Sequence, residues 1–148
     1  DLVVRNQKEQ QAIVDMKWSG IAYYRQRFAE NRHLQLAVYA EMLRQETRLW
    51  PDVSYFILST CDLLARDTGF FPNARTVQRE AEISAPVLWQ QFIAAWTWRR
   101  AQLDQGLIEI VTERIAPTEH SIAPEGALQP ETLPEAFDDY RWLAGWEA

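Results

Sequence analysis

Two short apolar runs open the chain, separated by a polar stretch. Residues 2–5 (Leu-Val-Val-Arg) and 12–18, where Ile13 and Val14 lead into Asp15, read as strands, and residues 6–10 read as the turn between them. Runs this short are also compatible with helix by periodicity alone, but the Val-rich content and nearby Gly20 favour a β-hairpin. Residues 19–28 show no clean period and are expected to be an irregular connection. Residues 31–48 predict a helix: Leu34, Leu36, Ala37, Val38, Ala40, Met42 and Leu43 give it broad apolar coverage, and Pro51 prevents it from continuing. Residues 53–59 (Val-Ser-Tyr-Phe-Ile-Leu-Ser) form the most strand-like stretch of the chain. Residues 61–82 are mixed, with Gly69 and Pro72 marking a loop. A long helix is expected over 84–105, opened by Ser84 with Pro86 close to the first turn and closed by Gly106. A last strand is expected at 107–112. Four prolines between 115 and 135 predict an extended arm, and 137–146 a short amphipathic segment that docks back. The predicted order is β-β-α-β-loop-α-β-tail, a mixed α/β arrangement.

Composition narrows this picture. At 148 residues and 47% apolar, the chain can bury a real core and is not disordered by composition. Trp89, Phe92 and Trp96, at helical spacing, are expected in that core. The lone Cys61 excludes an internal disulfide and a cysteine-ligated iron–sulfur cluster within the chain, and fits a reducing, cytoplasmic setting. It is expected to be a buried small residue. No basic-then-apolar leader or long apolar span is present, so neither a signal peptide nor a membrane helix is expected.

The net charge of −6 opposes a polyanionic partner only until its distribution is read. Residues 1–114 hold 14 basic and 14 acidic residues, whereas 115–148 hold seven acids and only Arg141. The body is neutral, the tail acidic, and local patches govern encounter more than the sum does. From Lys17 to Arg32 there are four basic residues and one acid, Glu30, interleaved with Trp18, Tyr23, Tyr24 and Phe28. Such a mixture suits stacking of unpaired bases with phosphate contacts, and equally suits a solvated loop over a core edge.

The candidate chemistry lies at Asp1, Asp15, Lys17, Gln35 and Tyr39. Asp1 and Asp15 sit on the two hairpin strands and can converge on one Mg²⁺ or Mn²⁺, cations that prefer oxygen ligands. Asp15 and Lys17 are two apart and share one face of a strand. Gln35 and Tyr39 are four apart and share one face of a helix. A cation, a positive group beside it and a polar helix face are what phosphodiester hydrolysis by water requires. Asp-x-Lys alone carries no information and Gln-x-x-x-Tyr alone little; their order and close spacing on these elements carry the signal.

In that order the residues resemble the PD-(D/E)XK nuclease superfamily, in particular its RecB-type exonuclease branch. The resemblance covers about residues 1–60. It rests on the aspartate of Asp1-Leu2-Val3-Val4, on Asp15-Met16-Lys17 and on Gln35-Leu36-Ala37-Val38-Tyr39. It implies a restriction-endonuclease-like fold, with a nuclease-like core over 1–114 and a Pro-rich acidic arm over 115–148. It also implies Asp1, Asp15 and the Met16 carbonyl as metal ligands, Lys17 serving the attacking water, and Gln35 and Tyr39 supporting the site and contacting DNA. Arg25 and Arg27 are expected to contact the substrate as well. The implied activity is Mg²⁺- or Mn²⁺-dependent DNA cleavage, exonucleolytic, in repair or recombination. The implied partners are DNA and an upstream segment of the same protein or a helicase-type partner. The family core carries a helix and usually a strand before the position of Asp1, so the chain is expected to be the C-terminal part of a longer nuclease domain.

Two other classes compete. One is a catalytically inactive nucleic-acid-binding or regulatory module of the same fold. The other is a protein-interaction domain that uses the Trp-rich helix and the acidic tail. Asp15 and Lys17 also read as an ordinary ion pair at a strand end, and Tyr39 as a core tyrosine. His33 is expected to be structural and His120 to have no chemical role.

Overall fold

The computed structural model describes residues 1–77, 84–108 and 118–130. The described residues form an α/β fold with a five-stranded mixed sheet and three helices. The chain divides into two compact units, residues 1–90 and 91–148, with the division falling within the third helix.

In the first unit, β1 (Leu2–Arg5) and β2 (Gln11–Lys17) form the expected antiparallel hairpin. Asn6 makes its turn: the side-chain oxygen accepts the backbone N–H groups of Lys8 and Gln10, the local capture that favours Asn in turns. β2 then pairs in parallel with β3 (Asp52–Ile57), which requires a crossover. The crossover is two helices, α1 (Ile21–Ala29) and α2 (Leu34–Thr47). β3 turns back into antiparallel β4 (Asp62–Ala65), and the two-residue β5 (Arg75–Thr76) adds in parallel at the edge. The sheet order is β1-β2-β3-β4-β5.

α1 occupies residues expected to be irregular. Its apolar positions Tyr24 and Phe28, four apart, share one face. Their rings lie 4.7 Å and 4.9 Å from that of Tyr55 in β3, so packing on the sheet fixes a segment whose own sequence is weakly helical. Gly20 precedes α1 at φ +95°, a conformation glycine adopts without strain. Asn31 at φ +55° separates the two helices. α2 buries Leu36, approaches closely through the small Ala37 and Ala40, and buries Glu41, which is paired with Arg44. The core of the unit gathers Ile13, Tyr55, Ile57, Leu64, Leu36 and Phe28.

α3 (Ala85–Asp104) starts in the first unit, where Ala85 and Leu88 are buried. Trp89 and Phe92 are half-buried, but Trp96 is 58% exposed rather than in the core. The covered stripe of α3 runs through Leu88, Phe92, Ala95 and Gln102, and Trp96 lies at its margin. Within the second unit, Gln102 donates to the carbonyl of His120 at 2.8 Å, and the Leu128 N–H donates to that of Gln91 at 2.9 Å. The described part of the arm, 118–130, is therefore turn-rich and tied to the helix; His120 acts through its backbone. Cys61 is exposed, in the β3–β4 turn at φ +54°, rather than buried. The strand expected at 107–112 falls mostly, and the amphipathic segment at 137–146 wholly, outside the described residues. No helix among the described residues is long and apolar enough to cross a membrane.

Candidate active site

Strand alternation and register determine what meets at the C-terminal end of β2. Asp15 and Lys17 project from one face, and the register sets Tyr55 of β3 beside Asp15 on that face. β1 pairs Leu2 with Val14. Continued by one residue, that register sets the exposed Asp1 opposite Asp15, where antiparallel neighbours share a face. α1 covers this same face through Tyr24 and Phe28, and α2 reaches it through Gln35.

The result is a continuous chain of polar contacts. The Lys17 ammonium stands 3.0 Å from Asp15 Oδ2. It donates to Gln35 Oε1 at 2.9 Å, and Gln35 Nε2 donates to the Tyr39 hydroxyl oxygen at 2.9 Å. Lysine has only donors, so it obliges the Gln35 amide to present oxygen to it and nitrogen to Tyr39. Tyr39 keeps its own O–H as a donor. The ring of Tyr24 closes the other side of Lys17, its centroid 5.5 Å from Nζ, an arrangement that favours a cation. The chain passes from a fully buried carboxylate to an exposed amide: Asp15 is 0% exposed, Lys17's side chain 20%, and Gln35 lies at the surface.

Asp15 is the unusual member. A buried carboxylate is costly unless its oxygens are hydrogen-bonded. Here the contact with Lys17 lacks hydrogen-bond alignment, and neither oxygen has another hydrogen-bond partner among the described residues. Buried carboxylate oxygens held by an ion pair and no aligned hydrogen bond suit a hard cation, so the donor set of Asp15, Asp1 and the Met16 carbonyl is chemically apt for Mg²⁺ or Mn²⁺. Mg²⁺ commonly takes one or two carboxylates and keeps several waters. Among the described residues no group of three His, Cys, Asp or Glu side chains is assembled for a metal.

The phenol of Tyr55 is pushed well above its ordinary value of 10.0, first by burial and then by the Asp15 charge. Tyr55 is the neighbour that sequence reasoning missed. The alternation of β3 was visible, but its register against β2 was not.

The two arginines expected at the substrate part company. Arg27 stays near the site: its Nε donates to the Tyr23 hydroxyl at 3.0 Å, and its guanidinium lies 5.1 Å from the Tyr23 ring. Arg25 lines a cleft of about 850 Å³ between α1 and β4–β5, with Leu64 and Arg75. His33 is buried, its ring 4.8 Å from that of Phe28, a packing role as expected. The chain matches no protein-family model, no curated protein and no solved structure.

Proposed function

We propose that this chain is a metal-dependent deoxyribonuclease with a restriction-endonuclease-like form of the α/β fold, related to the RecB-type exonuclease branch of the PD-(D/E)XK superfamily. The observation that carries the reading is the contact chain Asp15–Lys17–Gln35–Tyr39. Residues singled out by spacing on separate elements form one connected chain, on the face that Asp1 joins by register. Asp15, Asp1 and the Met16 carbonyl would hold Mg²⁺ or Mn²⁺, which supplies charge neutralisation at the phosphate and a more acidic water. Lys17, fixed by Gln35 and Tyr24, orients the attacking water. Tyr39 and Gln35 present donors to a phosphate oxygen, and Arg27, held against Tyr23 on α1, adds positive charge. The setting is DNA repair or recombination in the cytoplasm, where an upstream segment or a helicase-type partner would deliver the strand.

The test is cleavage of single- and double-stranded DNA with Mg²⁺, Mn²⁺ or EDTA, comparing the chain with Asp15→Ala. Cleavage that needs the cation and disappears in the variant is expected. Cleavage that survives in EDTA, or is equal in the variant, overturns the reading. The direct Lys17–Asp15 contact at 3.0 Å, in which the ammonium already meets the carboxylate, favours a second reading, a non-catalytic nucleic-acid-binding module. DNA binding without metal-dependent turnover would select it.

A further inference from the structure

We propose that Tyr23, held by Arg27, is a base-stacking platform beside Lys17, and that it makes the site select unpaired DNA. The proposal rests on the nuclease reading for its substrate.

The aromatic residues of α1 divide by face. Tyr24 and Phe28 turn to the sheet, while Tyr23, one residue and about 100° round the helix from Tyr24, is 52% exposed. An exposed tyrosine on a surface helix normally samples several rotamers. This one is held on two sides. Its ring meets Tyr24 edge-on, 5.0 Å between centroids and 85° between planes, and its hydroxyl accepts the Nε–H of Arg27 at 3.0 Å. Fixing an exposed ring adds little to a core but lowers the entropic cost of stacking a ligand on it.

Position and charge identify the ligand. Tyr24 touches Tyr23 on one side and the Lys17 ammonium on the other, so a single ring separates the platform from the proposed reaction centre. Trp18, directly after Lys17, is 76% exposed, and its carbonyl accepts the Ser59 N–H at 2.9 Å. A second exposed ring thus rises from a fixed backbone at the same strand end. Arg27 lies over one side of the Tyr23 ring, 5.1 Å from its centroid, and such a cation beside partly exposed rings suits a strand whose phosphates are charged and whose bases have free π-faces. In a duplex those faces are already stacked on neighbouring bases, so the platform discriminates by pairing state and not by sequence.

The experiment is fluorescence anisotropy in EDTA, with a labelled single-stranded oligonucleotide, its duplex, and versions carrying one abasic position. The proteins are wild type, Tyr23→Ala and Tyr23→Phe, each with metal-dependent cleavage by wild type recorded in parallel. Tyr23→Ala should lower the ratio of single-strand to duplex affinity about 5- to 150-fold, the span for losing one base–aromatic stack. Tyr23→Phe, which keeps the ring but loses the Arg27 hydrogen bond, should lower the ratio by clearly less than Tyr23→Ala. One abasic position should weaken wild type but not Tyr23→Ala. An unchanged ratio in Tyr23→Ala, an equal fall in Tyr23→Phe, or no DNA binding by wild type overturns the platform. The two readings separate cleanly: base-dependent single-strand binding without cleavage keeps the platform and removes the nuclease, and cleavage with an unchanged ratio does the reverse.

Discussion

Asp15 and Lys17 form an ion pair whose members are unequal. Asp15 is wholly buried with no aligned hydrogen bond, whereas Lys17 keeps Gln35, the Tyr24 ring and partial access to water. Removing one partner from a buried pair strands the other, and the cost depends on how well the survivor is solvated. Lys17→Met leaves a buried carboxylate uncompensated and should cost roughly 3 kcal/mol of folding stability. Asp15→Asn removes the charge that most needs a partner, and should cost about 1 kcal/mol or less, because its isosteric amide is cheaper to bury than a carboxylate. Urea unfolding of the two variants checks the order. Equal losses would mean that Asp15 has support beyond Lys17, and its fitness for a cation would lose its argument. Both variants should abolish cleavage, so the stability ranking separates folding from chemistry.

At the scale of elements, the same face ties α1 to the site. Tyr55 in β3 is the floor on which Tyr24 and Phe28 rest, and its phenol is held neutral by burial first and Asp15 second. A group whose folded value is raised gives stability that is fully present below its unfolded value and is lost as pH rises through the folded one. For Tyr55 that loss begins near pH 10.0. The chain should therefore lose stability above pH 10 more steeply than Tyr55→Phe, measured as denaturation midpoints across alkaline pH. Parallel curves would show that the burial of this phenol is not coupled to folding. This dependence also marks the limit of what the sequence discloses. β2, β3, α2 and α3 were legible because each carries its own period, cap or breaker, and the hairpin because Asn6 and its neighbours are a local turn. α1 was not, since Tyr24 and Phe28 become a helix face only when Tyr55 lies beneath them. β4 and β5 lay inside a stretch read only as mixed, and β5 exists only as a ladder of two residues against β4. The site followed the same division. Spacing within one element told which residues share a face, Asp15 with Lys17 and Gln35 with Tyr39. The meeting of Lys17 with Gln35, and of Asp15 with Tyr55, depends on docking between elements, which no local pattern encodes.

For the whole molecule the issue is how a chain of net charge −6 treats cations. Its net negative charge lies in the tail, where seven acids face one arginine, so divalent ions will collect there diffusely at low salt, and such collection is screened at physiological ionic strength. A site built around Asp15 behaves differently. It lies in the first unit, buried, and anything that binds only the folded state stabilises it by mass action, about 2.7 kcal/mol at a hundredfold excess over the dissociation constant. Mn²⁺ should therefore raise the thermal midpoint of wild type at physiological salt, with saturation, and Asp15→Asn should lose that rise. Tail-bound ions would instead give a small, unsaturated shift that is the same in both proteins and fades with added KCl. An equal, salt-sensitive shift in the two would place the cation on the acidic surface and leave Asp15 and Lys17 as an ion pair without a metal to serve. A saturable shift confined to wild type would show that the buried Asp15 carboxylate takes a cation. Because the readout is folding and not turnover, that holds whether or not the chain cleaves DNA.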